Sequence, residues 1–266
     1  MFSKLITGYK QLVVYSWTWW AIKLLMRVAL LIMGFLGLFG CKPKTVTSDK
    51  LAFDLKSVLD TADIEEVLIG ELYLPTGQII AGDPFFINDH KPFKTKVNPG
   101  KYPVKLLIHK VEEDHYRVAF AKVQFSKSQA THWTLALTED ITDEQINSLQ
   151  LGEFFGYGVD AGLGCFTDVE TNNIFSAVMD KFYSDNPDKN YYDDLLAEEF
   201  KNTSGQHPLS RDLGDWNNHF PRQGDNNNVI MFASGWGDGF YPTYWGTDSN
   251  RKIVELITDF NVVGGE

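Results

Sequence analysis

The sequence predicts an α+β fold: mostly antiparallel β-sheet, with two or three helices inserted before the C-terminal strands. Three features lead there. Between Ile64 and Leu137, short runs rich in β-branched and aromatic residues alternate with turn residues, the pattern of antiparallel strands. Between Asn172 and Lys201, apolar residues recur at helical spacing. From Val229 to Phe260 the chain returns to the β pattern, and no internal repeat is present.

The first strand is expected over Ile64 to Leu74, with Leu68, Leu72 and Leu74 on one face and Glu71 opposite. Pro75-Thr76-Gly77 is a turn leading into Gln78 to Ala81, which reads as a hairpin partner. Asn98-Pro99-Gly100 marks the next turn. Val104 to Val111, Tyr116 to Phe125 and Trp133 to Leu137 then read as strands, the first two joined by the polar turn Glu112 to His115. Thr142 precedes Asp143 and Glu144 and caps a short helix to Leu149, because its hydroxyl accepts a free amide and the acids suit the dipole. Phe154 to Val159 interleaves aromatics with glycines until Asp160-Ala161-Gly162 breaks it.

Ile174, Phe175, Val178, Met179 and Phe182 fall on one helical face, and Leu195, Leu196 and Phe200 define a second helix over Asp193 to Lys201. Asn202 to Asn228 reads as a long loop, a length that is uncommon without a functional reason. Val229 to Ala233, Gly239 to Gly246 and Lys252 to Phe260 are the last strands, with Thr247 to Asn250 as a turn. In the final one, Val254, Leu256 and Phe260 face one way and Glu255 and Asp259 the other.

The front of the chain reads differently. Lys4, Lys10, Lys23 and Arg27 are the only charges before Cys41, and an apolar run from Val28 to Gly40 follows them. A basic head, an apolar stretch and a small residue before the cut make a secretory signal. Leu38-Phe39-Gly40-Cys41 resembles a bacterial lipobox, in which Cys41 is the lipidated residue. Met26-Arg27 would open a compact signal, so the true start is placed either at Met1 or at Met26. The other reading is an uncleaved transmembrane anchor from Trp17 to Gly40, long enough for a span of about 20 residues and carrying Trp17, Trp19 and Trp20 for an interfacial belt. Residues 1–40 are therefore assigned to a signal peptide or N-terminal membrane anchor, 41–60 to a tether, and 61–266 to a single α+β domain. Both readings attach the chain to a membrane of the cell envelope, with its domain outside the cytoplasm; outer and inner membrane are unresolved, and the lipoprotein resemblance, with Lys42 in place of the aspartate of inner-membrane retention, leans to the outer.

The whole chain carries 35 acidic against 24 Lys and Arg residues, a net charge of −11. No acid lies before Cys41, so the remainder is more acidic still. That balance argues against nucleic acid as a partner and suits a soluble body. There are two cysteines. With Cys41 lipidated, Cys165 has no partner in the chain, which excludes a disulfide framework and makes Cys165 a small buried hydrophobe.

Four segments carry a family resemblance: Leu74-Pro-Thr-Gly-Gln-Ile-Ile-Ala-Gly-Asp-Pro84; Asn98-Pro-Gly-Lys-Tyr-Pro-Val104; Gly158-Val-Asp-Ala-Gly-Leu-Gly164 with Asp168; and Ser234-Gly-Trp-Gly-Asp-Gly-Phe-Tyr241 with Gly246, Asp248 and Asp259-Phe260. Together they resemble the bacterial domain of unknown function family 4241. The resemblance spans residues 68 to 260 and implies no activity. The basic and apolar front end lies outside it.

Within those segments, Asp83, Asp160, Asp168 and Asp238 are the candidate binding or metal residues. Carboxylates from several loops can converge on a divalent cation or form an acid/base pair. Asp beside Gly or Pro is also ordinary turn chemistry. Trp236, Tyr241, Tyr244 and Trp245 are the candidate contact aromatics, for such side chains in a loop form partner hot spots; the alternative is that they fill a β-core, with Phe240 among them. Ser234 does not match a nucleophile elbow, since Phe232 stands where glycine is required. The six histidines have no metal-ligand spacing and read mostly as surface residues. The leading expectation is a membrane-anchored lipoprotein acting as a binding or interaction module, with a protein partner. A metal-assisted hydrolase using Asp160, Asp168 and Asp238 is the second reading. An envelope immunity-type protein, neutralising a toxin, is the third.

Overall fold

The computed structural model describes residues 52–150 and 152–264. The expected signal peptide or anchor, Cys41 and the start of the expected tether lie outside the described residues. Among those described, no helix is long and apolar enough to cross a membrane.

The fold is α+β and mostly antiparallel, arranged as two sheets and a helical layer. In chain order the elements are β1 (Ala52–Phe53), α1 (Leu55–Thr61), β2 (Ile64–Leu74), β3 (Ile79–Gly82), β4 (Gly100–Glu112), β5 (His115–Gln124), β6 (His132–Leu135), α2 (Asp143–Ser148), β7 (Gly156–Val159), β8 (Leu163–Asp168), α3 (Val169–Asp185), α4 (Ala197–Ser204), β9 (Trp216–His219), β10 (Val229–Ala233), β11 (Gly239–Thr247) and β12 (Ile253–Asp259). A π-helical turn, Tyr192–Leu196, leads directly into α4. The larger sheet runs β1-β6-β11-β12-β5-β4-β2, with β7 also pairing β11; the smaller runs β3-β8-β10-β9.

The smaller sheet is the middle layer, and its alternation shows this. Ile79, Ala81, Phe166, Ile230, Phe232 and Trp216 face the larger sheet, where they join Leu72, Leu74, Val104, Leu106, Val123, Leu256 and Phe260 in one core. Ile80, Leu163, Cys165, Val229 and Met231 point the other way, against Phe175 and Met179 of α3 and Leu196 and Phe200 of the π turn and α4. A strand apolar on both faces is buried on both.

Most local expectations match the elements. β2 and β10 have the expected bounds, and α2 starts from Thr142 in a capping box with Gln145. α3 contains the expected helical face and is capped by Asp168, whose carboxylate accepts the Glu170 N–H. Other expectations are corrected. The turn at Pro75-Thr76-Gly77 does not close a hairpin: β2 pairs β4 in the larger sheet, while β3 pairs β8 in the smaller. The turn instead passes the chain from one sheet to the other. Gly77 holds it at φ +71°, with Val97 O 2.0 Å from the position a Cβ would take. Leu68 is also not on the face of Leu72 and Leu74. The register shifts between Leu68 and Gly70, so Val67 and Ile69 are buried before the bulge, Leu72 and Leu74 after it, and Leu68 is 62% exposed. A bulge inserts one residue and reverses the alternation. The expected loop from Asn202 to Asn228 contains β9. The folded region also takes in residues assigned to the tether: β1 pairs β6, Phe53 stacks on Tyr244, and Leu55 of α1 is buried in the main core.

The open edge of β2 is closed by one side chain. Asn228 Oδ1 accepts the Tyr73 N–H at 2.9 Å, and its Nδ2 donates to Glu71 O at 2.8 Å and to Asn218 Oδ1 at 2.7 Å. An amide group thus imitates a ladder strand and ties the smaller sheet to the larger. Gly70 lies beside it at φ +154°, and a Cβ there would lie 2.9 Å from Asn218 Nδ2. Asn228→Ala leaves a donor and an acceptor of β2 unpaired, which should destabilise the protein by about 2–4 kcal/mol; denaturant midpoints for wild type and variant check this.

Candidate functional site

Three loops meet at one end of the middle sheet, and carboxylates hold them together. Asp83 follows β3 and is fully buried. Its Oδ1 accepts the Phe85 N–H at 2.9 Å, making a turn within its own loop. Its Oδ2 accepts the N–H groups of Asp160 at 3.0 Å and Ala161 at 2.9 Å, across to the β7–β8 loop. Asp238, before β11, accepts the Gly162 N–H at 3.1 Å, and Ser234 N donates to Gly162 O. The β7–β8 loop is therefore fastened from both sides.

The four aspartates separate into two groups. Asp83, Asp160 and Asp238 come together at this end, Asp83 buried and the other two exposed. Asp168 is at the opposite end of β8, roughly 16 Å away at strand spacing. There it caps α3 and accepts from Thr76 N at 3.1 Å and Thr76 Oγ1 at 2.8 Å, holding the turn between the sheets. Asp160, Asp168 and Asp238 thus do not share a point, and Asp83, Asp168 and Asp238 each accept backbone N–H groups. Among the described residues, no three His, Cys, Asp or Glu side chains are placed to hold a metal ion.

The contact aromatics also separate. Tyr241, Tyr244 and Trp245 are buried. Tyr241 packs edge-on to Phe260 and its hydroxyl reaches Gly237 O at 2.8 Å; Trp245 meets Phe93; Tyr244 is covered by Phe53. Trp236 faces solvent at 54% exposure, and so does Phe240 at 50%. Trp236 is nonetheless held in place: the Arg117 guanidinium lies 5.1 Å from its ring centroid and the His115 ring packs against it edge-on. Phe240 stacks on Phe154. Phe86, on the loop that Asp83 turns, is exposed as well. Of the seven large hydrophobic side chains exposed among the described residues, these three stand on the laced loops or at the start of β11.

These segments are those of the family resemblance, and the comparison with family models decides the matter. The model described as protein of unknown function (DUF4241) matches residues 72–258. The chain belongs to the DUF4241 family. Its DUF4241 region begins inside β2 and ends inside β12, leaving β1 and α1 as additions at the N-terminal side. No curated protein and no solved structure matches the chain.

Several buried polar groups were not legible in sequence. Ser234 is occupied, its hydroxyl donating to Gly237 O at 2.8 Å. Cys165 is fully buried; burial, with the Asp83 carboxylate nearby, pushes its thiol pKa well up. Not every histidine is a surface residue. His219 is buried and bridges Glu199, at 2.8 Å from Nδ1, and the Tyr191 hydroxyl, at 3.0 Å from Nε2. The carboxylate can only accept, so Nδ1 is the donor to Glu199. Burial works against the Glu199 carboxylate, but the bonds from His219 and Asn217 hold its pKa below the ordinary value. This chain of bonds joins the π turn and α4 to the edge strand β9.

Asp259, at the end of β12, is buried with one bond, from Asn261 N at 2.8 Å. Burial raises its pKa from 3.8 to about 6, against the opposing effect of the Asn261 N–H. The folded protein therefore holds this proton more tightly than the unfolded chain. Stability from this group is greatest below the unfolded pKa of 3.8 and falls as pH rises to about 6. Asp259→Asn keeps the acceptor for Asn261 and removes the ionisation. The variant should gain up to about 3 kcal/mol over wild type at pH 7.5 and nothing at pH 3.5, as denaturation at the two pH values would measure.

Proposed function

We propose that the protein is a lipid-tethered member of the cell envelope that binds a protein partner through the laced loop end. The observation that carries this reading is the pairing of exposure with rigidity: Trp236, Phe240 and Phe86 are open to solvent while the loops beside them are fixed by Asp83 and Asp238. Aromatic side chains held in place before binding lose little entropy on contact, which is the character of a binding hot spot. Asp160 and Asp238 give the same end an acidic rim. The tether rests on the basic head, the apolar run and the lipobox-like Leu38 to Cys41. An immunity-type role is the form of this reading in which the partner is a toxin. The net charge of −11 speaks against a nucleic acid in that place.

Two measurements test the two halves. Intact-mass analysis of membrane-extracted protein should show loss of the residues before Cys41 and a gain of acyl mass, both abolished in Cys41→Ser; an uncleaved, unmodified wild-type mass defeats the tether. For the binding face, a photo-crosslinking phenylalanine analogue is placed in living cells at Trp236 and Phe240 and, in turn, at Leu213 and Phe220, exposed residues on the connections either side of β9. The same adduct is expected from positions 236 and 240 and not from 213 or 220. Indistinguishable adduct patterns at all four positions would remove the assignment.

A further inference from the structure

The partner-binding reading can be deepened at β7, because this strand has an unoccupied side. β7 pairs with β11 through Gly239↔Val159, Phe240↔Gly158, Tyr241↔Tyr157 and Pro242↔Gly156, and with no other described strand. Opposite residues in an antiparallel pair alternate between those that exchange both backbone bonds and those that exchange none. Pro242 has no N–H, so Pro242↔Gly156 belongs to the second kind, and by alternation Phe240↔Gly158 does too. Gly156 and Gly158 consequently direct their N–H and C=O groups away from β11. Both are exposed, whereas Tyr157 and Val159 are buried.

Gly158 itself needs an explanation that the fold does not provide. Every other described glycine has either a positive φ or a neighbouring atom within 3.4 Å of its would-be Cβ; Gly158 has neither, and nothing lies within 4 Å. Glycine inside a strand costs about 0.5–1 kcal/mol. A glycine inside a strand often marks a site where another backbone approaches closely, and here no internal contact takes that place.

Two other edges are covered in part. Asn228 covers β2, and the N–H of Phe93 bonds Ile79 O of β3. Exposed edges are commonly blunted by charged residues, proline or bulges; the sequence Gly156-Tyr157-Gly158-Val159 has none of these. Charge then narrows the occupant. Gln150 to Gly162 carries Glu153 and Asp160 and no base, and Ser234 to Tyr241 carries Asp238 and no base. Arg117 lies against Trp236. Phe240, directly across from Gly158 and therefore on the same face, is half exposed and stacked on Phe154.

We propose that β7 is a docking edge for an extended, basic segment of a partner protein, which adds as a further strand. Its backbone bonds Gly156 and Gly158, an apolar side chain lies on Phe240, and lysine or arginine side chains approach Asp160 and Glu153. Strand addition of this kind takes affinity from the main chain and specificity from alternate side chains. The proposal rests on the partner-binding reading above.

The test uses full-length protein in detergent, labelled with ¹⁵N-glycine, and the capped hexapeptide Lys-Val-Lys-Val-Lys-Val as probe. Saturating peptide should slow hydrogen exchange at the Gly156 and Gly158 amides on the order of tenfold or more. Peptide N-methylated at alternate residues, or with glutamate for lysine, should not. Gly158→Pro removes the outward N–H and should abolish binding, while Gly158→Ala, with open space for its methyl group, should fold and bind. No slowing with the lysine peptide, equal slowing with the glutamate peptide, or undiminished binding to Gly158→Pro overturns the proposal. Concentration-dependent self-association that protects the same amides without peptide also overturns it, because the edge would then belong to a second copy. Crosslinking at Trp236 and Phe240 without protection of β7 leaves the partner reading in place and removes strand addition alone.

Discussion

The middle sheet, buried on both faces, is the constraint on which the remaining architecture depends. Strands β3, β8 and β10 alternate apolar side chains between two cores, with Ile230 and Phe232 toward the larger sheet and Val229 and Met231 toward the helices. A strand so enclosed has no face on which to place a charge without a large desolvation cost. Polar chemistry is displaced to the strand ends, and that is where the buried carboxylates occur. Asp83 follows β3 at one side and Asp168 ends β8 at the other, each fully buried and each accepting from three N–H or O–H donors. The positions of Asp83 and Asp168 thus follow from the layering. They secure the turns through which a doubly buried sheet must leave the core.

How much of this is legible in sequence depends on the range of the interaction. β2 and β10 are readable because continuous apolar or alternating runs and nearby turn residues are local information. The helical stripe of α3 and the Thr142 cap of α2 are local too. β8 and β9 are not: Leu-Gly-Cys-Phe-Thr-Asp and Trp-Asn-Asn-His lack strand composition. They become strands because neighbours satisfy them, as Thr203 and Glu199 do for Asn217 and Asn228 does for Asn218. The Pro75-Thr76-Gly77 turn is real, but the strand that follows joins another sheet, and a turn's composition does not encode where its exit strand pairs. The same limit applies to the candidate site. Glycine-flanked aspartates can be picked out singly, whereas the meeting of Asp83 with Asp160 and Ala161, 77 and 78 residues away in sequence, is a property of the fold.

The aromatic residues near the end of the chain show the same principle at finer scale. Within the six positions from Trp236 to Tyr241 there are two exposed rings and one buried one, and composition alone treats them as equals. Pairing separates them: Tyr241 bonds the loop carbonyls and packs on Phe260, while Phe240, one residue earlier, takes the opposite face. Rigidity and exposure therefore coincide at Trp236 and Phe240 for geometric reasons, supplied by the Arg117 and Phe154 contacts. A surface of this kind is ordered before any partner arrives.

Cys165 carries a consequence for the redox behaviour of the chain. It is one of two cysteines in the sequence, and the fold encloses it between the middle sheet and the helices with its thiol held protonated. Thiolate is the species that attacks a disulfide or forms a sulfenic acid. In an oxidising compartment the folded protein accordingly presents Cys165 to neither oxidant nor neighbouring thiol. Exchange at this sulfur requires the helical layer to lift from β8. Disulfide-linked material joined through Cys165 would thus be a record of molecules that had opened, and a clock for how often they do.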